Sequence, residues 1–216
     1  GIDKRLLIAS TDQLSSNARQ VCDAQEKSVT RFLFSDFEKS AIEYPSHLSK
    51  LNTTKRKKKP HPHKHQSEAI DAVENGFKEN DRGQLIMACG TGKTLTTLWI
   101  KERIIANTTL VLVPSLSLLS QILREWTFAC KTPFDVLCVC SDQSVGKRAH
   151  EDEIIHSAKE LPFPVTSKIQ EIDEFLKSKS HKVVFSTYQS SPLIAESQSN
   201  HDIPTFDLVV ADEAHR

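Results

Sequence analysis

The feature that most constrains this chain is an octapeptide with two glycines, residues 87–94, which reads Met-Ala-Cys-Gly-Thr-Gly-Lys-Thr. A short apolar segment, Gln84 to Ala88, precedes the glycines, and a helical pattern runs from Leu95 to Ile105, so the sequence predicts strand, loop and helix in succession. Glycines such as Gly90 and Gly92 let backbone N–H groups close around phosphate oxygens. The octapeptide therefore predicts a phosphate-binding loop.

The polar residues of this loop have separate predicted roles. We expect Lys93 to reach the outer phosphates of a nucleotide as a point charge, and the Thr94 hydroxyl to ligate Mg²⁺. The rest of the loop supplies further predicted ATP contacts, from Cys89, Gly90, Thr91 and Gly92. The strict form of such a loop has glycine where this chain has Met87. A chance glycine turn is the alternative, but the flanking pattern and a distant acidic partner favour the phosphate loop.

The acidic partner lies near the end of the sequence, where residues 209–216 read Val-Val-Ala-Asp-Glu-Ala-His-Arg. An apolar strand, Leu208 to Ala211, delivers two adjacent carboxylates at its carboxyl end. We expect Asp212 to hold Mg²⁺ through water, and Glu213 to orient and deprotonate an attacking water molecule. A solvated strand terminus is the alternative, and the upstream phosphate loop makes it the weaker one. Lys93, Asp212 and Glu213 are thus the predicted catalytic residues.

Composition limits the class of protein only broadly. The 216 residues carry a formal net charge of zero, so any nucleic-acid site must be a local patch. The five cysteines form no Cys-x-x-Cys pair, and this pattern predicts free thiols in a reducing compartment. No apolar run approaches the roughly 18 residues that a membrane span requires. We therefore expect a cytoplasmic protein.

The first part of the chain reads as a separate segment. Lys4 to Ser10 predicts a strand and Leu14 to Lys27 a helix, while Val29 to Phe37 is compatible with either. Residues 51–65 predict a basic, proline-containing linker. Its five consecutive cations, Lys55 to Lys59, are compatible with a phosphate-backbone contact, a localisation signal or a solvated linker.

The rest of the chain alternates strands with helices. The predicted strands are Thr109–Val113, Asp135–Cys140, Val183–Thr187 and Leu208–Ala211, and the predicted helices are Gln66–Phe77, Pro114 to Ala129 and Ser167–Leu176. This alternation predicts an α/β fold with a mostly parallel sheet covered on both faces. The ligand crevice of such a sheet lies at the carboxyl ends of its strands, where the loop and the acids fall.

Three shorter strings resemble motifs of superfamily-two helicases. Gln66-Ser67-Glu68-Ala69-Ile70 resembles the glutamine that pairs with the adenine edge, although a helix-capping residue is the alternative. The string from Pro114 to Gln121 resembles motif Ia, which implies nucleic-acid contacts from Pro114, Ser115 and Gln121. The string Ser186-Thr187-Tyr188-Gln189-Ser190-Ser191 resembles the motif that contacts the tracking strand, which implies roles for Thr187, Gln189 and Ser190. For the string from Pro114 the alternative is a plain β–α turn. For the string from Ser186 it is a strand end whose polar groups bond within the protein.

In this order, the motifs together resemble the first RecA-like domain of a superfamily-two DEAH-type helicase or translocase. The resemblance is to the helicases of type I, type III and single-chain, type ISP-like restriction enzymes. It covers about residues 60 to 216, and we expect the domain itself to span residues 66–216. It implies a RecA-like P-loop NTPase fold, ATP and Mg²⁺ as cofactors, and a coupling role for His215. It also implies double-stranded DNA as partner, together with a second RecA-like domain in the same polypeptide that supplies an arginine finger.

Residues 1–50 resemble the end of an Mrr-like restriction nuclease domain, and a structural extension of the ATPase domain is the alternative. No Glu-x-Lys motif of that nuclease family is evident in them, so we expect its nuclease residues upstream. We expect this chain to be a fragment of a longer protein that binds ATP weakly and hydrolyses it slowly. The alternatives to a DNA motor are an RNA helicase or remodeller and a nucleic-acid-binding module without motor activity.

Overall fold

The computed structural model describes residues 5–25, 29–38, 40–140, 163 and 165–214. His215 and the residue after it lie outside this range. The coupling role predicted for His215 therefore concerns a residue that is not among the described ones. Most of the predicted surface excursion between the strand at 135–139 and the helix at 169–177 also lies outside the described residues.

The N-terminal part contains two small two-stranded sheets. Its elements are β1 (Arg5–Ile8), α1 (Ser16–Asp23), β2 (Val29–Phe32), α2 (Phe34–Glu38), β3 (Ile42–Glu43), a 3₁₀ turn (Leu48–Thr53) and β4 (Lys55–Arg56). β1 pairs in parallel with β2, and β3 pairs antiparallel with β4. The segment from Val29 to Phe37, for which the sequence is compatible with strand or helix, begins as the strand β2 and continues as the helix α2. The predicted linker is partly wrong, because Lys55 and Arg56 form a strand whose backbone bonds to β3.

The larger part is a five-stranded sheet with helices on both faces. Its elements are α3 (Lys64–Gly76), α4 (Lys93–Arg103), β5 (Thr108–Val113), α5 (Leu116–Ala129), β6 (Asp135–Val139), β7 (Val165–Thr166), α6 (Ile169–Lys177), β8 (Lys182–Thr187), α7 (Ser191–Ser199) and β9 (Leu208–Ala211). The strand order is β7-β6-β8-β5-β9, and all neighbours are parallel. The predicted α/β fold with a mostly parallel sheet is confirmed.

The central strands are buried on both faces, as their β-branched runs predict. Every residue of β8 is buried, and Val111, Val113 and Phe185 have no exposed surface. One face packs against α4 and α5 in a cluster that includes Leu98, Leu123 and Trp126. The other face packs against α6 and α7 through Ile172, Leu176 and Ile194. These two layers fix the carboxyl ends of β5, β8 and β9 next to one another.

The predicted strand at Gln84 to Ala88 is wrong. These residues make no ladder hydrogen bonds, and Ile86 is 88% exposed. A groove of about 1060 Å³ lies between them and the edge of β9, where Val209 is 53% exposed. A strand requires a neighbour about 4.8 Å away in the hydrogen-bonding direction. The apolar segment has the composition of a strand but lies across the groove from the edge with which it would pair.

Two short elements of the structure, β7 and α7, are not predicted by the sequence patterns. β7 has two residues, too few to show any alternation, and α7 carries polar residues on most of its surface. α6 begins two residues later than predicted, at Ile169.

Within the described ranges, no helix has the length and apolar character needed to cross a bilayer.

Candidate functional site

The glycine loop is held in a closed turn by its own threonine. The Thr91 hydroxyl donates to the Ala88 carbonyl oxygen at 2.6 Å, and the Thr91 backbone N–H donates to the same oxygen at 3.4 Å. Gly90 and Gly92 adopt left-handed backbone angles, with φ of 76° and 83°. Side chains other than glycine rarely adopt such angles, so the turn depends on glycine at both positions.

The first turn of α4 presents backbone N–H groups at the end of this loop. Gly92 is the N-cap residue of α4, and no side chain caps the helix. The first N–H groups of a helix have no partner within it, and they form a site that attracts anions. Lys93 and Thr94 are the first two residues of this turn. The arrangement suits a phosphate group at the helix start, as the sequence predicts.

Gln66 reaches the same loop from α3. Its side chain is 4% exposed, its Oε1 accepts from the His63 backbone N–H at 2.8 Å, and its Nε2 donates to the Thr91 carbonyl at 3.1 Å. A Cβ atom built on Gly92 would lie 2.5 Å from Gln66 Nε2. Gln66 therefore caps α3, as the alternative interpretation predicts, and it also clamps the backbone of the glycine loop.

Lys93 meets the acidic pair across the end of the sheet. Its Nζ lies 3.7 Å from Glu213 Oε1, and both side chains are about one-third exposed or less. Glu213 has a φ of 55°, a left-handed angle that is uncommon for a residue with a side chain. The structure thus brings together the two segments whose proximity the sequence predicts.

Asp212 is fixed at the end of β9 by contacts on both sides. Its backbone N–H donates to the Leu112 carbonyl at 2.9 Å, and its own carbonyl accepts from the Tyr188 hydroxyl at 2.7 Å. Burial raises the pKa of Tyr188, and the negative charges of Asp212 and Glu213 raise it further. Tyr188 therefore joins the end of β8 to the acidic turn as a neutral donor.

The Thr94 hydroxyl and the Asp212 carboxylate are hard oxygen donors of the kind that Mg²⁺ prefers. Magnesium commonly binds one or two protein oxygens and completes its shell with water and substrate phosphates. In the described part of the chain, no group of three or more His, Cys, Asp or Glu side chains could hold a metal ion by itself. The donor set fits an ion that arrives with a nucleotide.

The predicted nucleic-acid residues are divided between surface and interior. Pro114 and Ser115 form the half-buried turn before α5, and the Ser115 hydroxyl caps the helix by accepting from the Leu118 N–H at 3.3 Å. Gln121 is exposed and donates to Glu125. Gln189 is also exposed, whereas two hydroxyl residues, Thr187 and Ser190, are buried and bond to each other at 3.3 Å. The structure thus places Gln189, but not these two hydroxyls, at the surface.

Sequence reasoning missed two contacts at this site. One is the Tyr188 hydroxyl, which lies in the string where the sequence predicts roles for its neighbours Thr187 and Gln189 instead. The other is Trp126, whose indole Nε1 donates to the Thr94 carbonyl at 2.8 Å. Its position on α5 gives no local signal, because the bond joins residues 32 positions apart.

A parallel α/β sheet whose glycine loop faces an acidic pair defines a RecA-like P-loop nucleotide-binding domain. More narrowly, residues 59–216 match the family described as "Type III restriction enzyme, res subunit", and the chain belongs to that family. Residues 1–54 match a second family, described as "Restriction endonuclease".

Curated relatives include a protein named "Probable helicase A859L" from African swine fever virus. The form from isolate Tick/Malawi/Lil 20-1/1983 is 33% identical over 151 residues, which is 70% of this chain and 16% of that protein. The form from isolate Pig/Kenya/KEN-50/1950 is 32% identical over the same length. The chain thus spans about one-sixth of the length of these relatives.

Two solved structures of Type ISP restriction-modification enzymes are similar. One is the ATP-dependent enzyme LlaBIII bound to DNA, with a TM-score of 0.82 and 33% identity over 98% of this chain and 14% of that one. The other is a nuclease-deletion mutant of LlaGI in complex with a DNA substrate mimic. It has a TM-score of 0.58 and 36% identity over 73% of this chain and 15% of that one.

Proposed function

We propose that this chain is the ATP-binding half of an ATP-dependent DNA helicase or translocase within a restriction-modification or similar DNA-processing enzyme. The observation that carries the proposal is the 3.7 Å approach of Lys93 Nζ to Glu213 Oε1, which joins the glycine loop to the acidic turn. Membership of the restriction-enzyme family and the similarity to a DNA-bound enzyme support it. Such a protein would act on DNA in the cytoplasm.

In this proposal the triphosphate of ATP lies between the loop and the acids. The first-turn N–H groups of α4 and the Lys93 ammonium would bind its phosphate oxygens. Lys93 would exchange its contact with Glu213 for a phosphate oxygen, and the Glu213 carboxylate would then orient and deprotonate the attacking water. Thr94 and Asp212 would hold Mg²⁺, which neutralises phosphate charge when bound.

The adenine contact of Gln66 stays a prediction. Both ends of its amide are engaged within the protein, at the His63 N–H and the Thr91 carbonyl. Its present contacts support a role in holding the loop at the phosphate position. An adenine contact would require the amide to share or release one of these bonds.

Calorimetric titration with ATP and Mg²⁺ tests the nucleotide site. We expect Lys93→Ala to abolish measurable binding, because it removes the cation at the phosphates. Lys168→Ala is the matched control, because it removes an exposed lysine that forms an ion pair with Glu171 on α6. Unchanged affinity in Lys93→Ala would contradict the assignment.

Hydrolysis measured in a single turnover tests the motor assignment. We expect slow turnover by this chain alone, because the proposed second RecA-like domain would supply an arginine finger worth about 10³–10⁵ in rate. Duplex DNA and RNA are compared as activators, with Pro114, Ser115, Gln121 and Gln189 as proposed contacts. Stimulation by RNA alone would favour an RNA helicase. Rapid DNA-stimulated turnover would refute the need for a second domain.

A separate arm distinguishes a motor from a simple binding module. A binding module would hold DNA through the cations at 55–59, with equal affinity in the parent, in Lys93→Ala and in Glu213→Gln, and without any effect of ATP. We expect instead that ATP changes the DNA affinity of the parent and leaves that of Lys93→Ala unchanged. The comparison requires only equilibrium binding to labelled duplex DNA.

We also propose that residues 1–50 belong to a nuclease domain of the Mrr-like type. The match of residues 1–54 to a restriction endonuclease family supports this. The LlaGI structure, which lacks its nuclease, covers 73% of the chain, whereas the LlaBIII structure covers 98%. The difference is about a quarter of the chain, the size of this N-terminal segment.

A further inference from the structure

Trp126 connects the helix after β5 to the first turn of α4. Its side chain has no exposed surface, and its indole Nε1 donates to the Thr94 carbonyl oxygen at 2.8 Å. Thr94 is the second residue of α4, and its hydroxyl is the proposed magnesium ligand. The Thr97 hydroxyl donates to the same carbonyl at 2.8 Å from within α4. The indole bond is therefore the contact from α5 that helps to fix the backbone from which the Thr94 hydroxyl projects.

The indole ring is held rigidly on its other sides. It meets Phe185 edge-on at 5.7 Å between ring centroids, and Phe134 edge-on at 6.4 Å. Edge-to-face contacts of this kind restrict ring orientation as well as bury apolar surface. A rigid donor determines where its acceptor lies, so a displacement of α5 would displace the Thr94 carbonyl with it.

The other end of α5 is the proposed nucleic-acid turn. Ser115 is its N-cap residue, eleven positions before Trp126, which is about 16 Å along a helix at 1.5 Å per residue. Well-packed helices move as rigid elements with discrete arrangements rather than by continuous deformation. Contact of a nucleic-acid backbone at Ser115 that displaces α5 would thus also displace the Thr94 carbonyl.

The second tryptophan provides an internal comparison. The chain has two tryptophans, and Trp99 lies on α4 with 5% exposure. Its indole Nε1 is buried and has no hydrogen-bond partner within the described residues. Burial of an indole therefore does not by itself supply an acceptor in this fold, and the Trp126 bond reflects the particular placement of α5 against Thr94.

We infer that Trp126 is a positioning residue that couples nucleic-acid contact at the Pro114–Ser115 turn to magnesium binding at Thr94. The inference rests on the proposed function, and it adds a coupling element to that function. The coupling is a single hydrogen bond between two helices, and it acts on the metal-dependent part of nucleotide binding. ATP binding without metal does not use Thr94 in this way.

The experiment measures ATP binding by the full chain as a function of Mg²⁺ concentration, with and without duplex DNA. Three proteins are compared, namely the parent, Trp126→Phe and Trp99→Phe. In the parent, DNA lowers the Mg²⁺ concentration that gives half-maximal binding. Trp126→Phe raises that concentration roughly fivefold, the effect of one lost buried hydrogen bond, and abolishes the influence of DNA. Trp99→Phe behaves as the parent does.

ATP affinity in EDTA separates positioning from general packing. We expect it to be equal in the parent and Trp126→Phe. An equal loss of affinity with and without Mg²⁺ would mean that Trp126 is a packing residue, and would overturn the inference. Parent-like behaviour of Trp126→Phe, or no DNA effect in the parent, would overturn it as well. Absence of ATP binding in the parent would refute the proposed function itself, and is recognised before any variant is made.

A second replacement guards against a folding defect in Trp126→Phe. In the Trp99→Phe background, Trp126 is the sole tryptophan and can be replaced biosynthetically by benzothienylalanine, which keeps the bicyclic shape and substitutes sulfur for the N–H. This protein should reproduce the fivefold shift and should still unfold in a single cooperative transition, which shows that the fold is intact. A parent-like Mg²⁺ dependence in it would show that the donor is not used.

Discussion

Replacement of Gly92 by alanine tests whether Gln66 clamps the glycine loop. Gly90 and Gly92 both have left-handed backbone angles, and alanine at such an angle costs roughly 1–2 kcal/mol. The two positions differ in their surroundings. A Cβ on Gly90 would meet no atom within 4 Å, whereas a Cβ on Gly92 would lie 2.5 Å from Gln66 Nε2. Gly92→Ala must therefore displace the Gln66 amide as well.

The displaced amide has a calculable cost. Gln66 would lose its bond to the Thr91 carbonyl and weaken its cap on His63, at about 0.5–1.5 kcal/mol for each bond. We therefore expect Gly92→Ala to lower the free energy of unfolding by about 3 kcal/mol and Gly90→Ala by about 1–2 kcal/mol. Gly83→Ala is the control, because its angle is unstrained and its surroundings are open, and it should raise the free energy of unfolding slightly, by about 0.4–1 kcal/mol.

Urea unfolding of the three alanine variants supplies the assay, and a double-mutant cycle isolates the clamp. In a Gln66→Ala background the amide is absent, so Gly92→Ala should cost no more than Gly90→Ala does. The expected coupling between positions 66 and 92 is about 1–2 kcal/mol. Equal costs for Gly90→Ala and Gly92→Ala in the parent, or additive effects in the cycle, would refute the reasoning.

Two further predictions concern stability. Burial raises the pKa of Cys138, with a further contribution from the Cys140 charge, and burial raises the pKa of Cys140 from 9.0 to about 12. These thiols ionise more readily in the unfolded chain, so their stabilisation is complete below about pH 9 and is lost above it, by about 1.4 kcal/mol per thiol at about pH 10. A double alanine variant should lose less stability between pH 8 and 10, and an identical loss would contradict this. Arg124→Ala removes the 2.6 Å ion pair with Asp36, which joins α5 to α2. Its coupling energy with Asp36→Ala should be about 0.5–1 kcal/mol in urea unfolding and should fall at high salt. Zero coupling would show that this ion pair does not stabilise the protein.

The sequence predicted the sheet well because burial and composition agree there. β5, β8 and β9 are apolar runs rich in β-branched residues, and the structure places the first two at the centre of the sheet. The strand predicted at Gln84 to Ala88 failed for a reason that local composition does not contain. Ladder formation depends on a neighbour at hydrogen-bonding distance, and a groove separates this segment from β9.

The candidate site was predictable in its charges and glycines, and less so in its hydrogen bonds. Lys93 and Glu213 were expected to face one substrate, and their 3.7 Å separation agrees with that expectation. The second role of Gln66 was not predictable, because its bond to Thr91 depends on how α3 packs against α4. The same holds for Trp126, whose acceptor is fixed by the packing of α5.

The charges and glycines of the site were predictable and its supporting hydrogen bonds were not, because the former are encoded locally and the latter depend on distant parts of the chain. Glycines and acids report on the backbone angles and ligands of their own segments, so a short string suffices to recognise them. The contacts that hold such a string in position come from helices elsewhere in the chain. In this protein Gln66 reaches the loop from one helix and Trp126 reaches Thr94 from another. A glycine loop supported from two sides has a defined position before any ligand arrives, and under the proposed function that preorganisation would lower the cost of nucleotide binding.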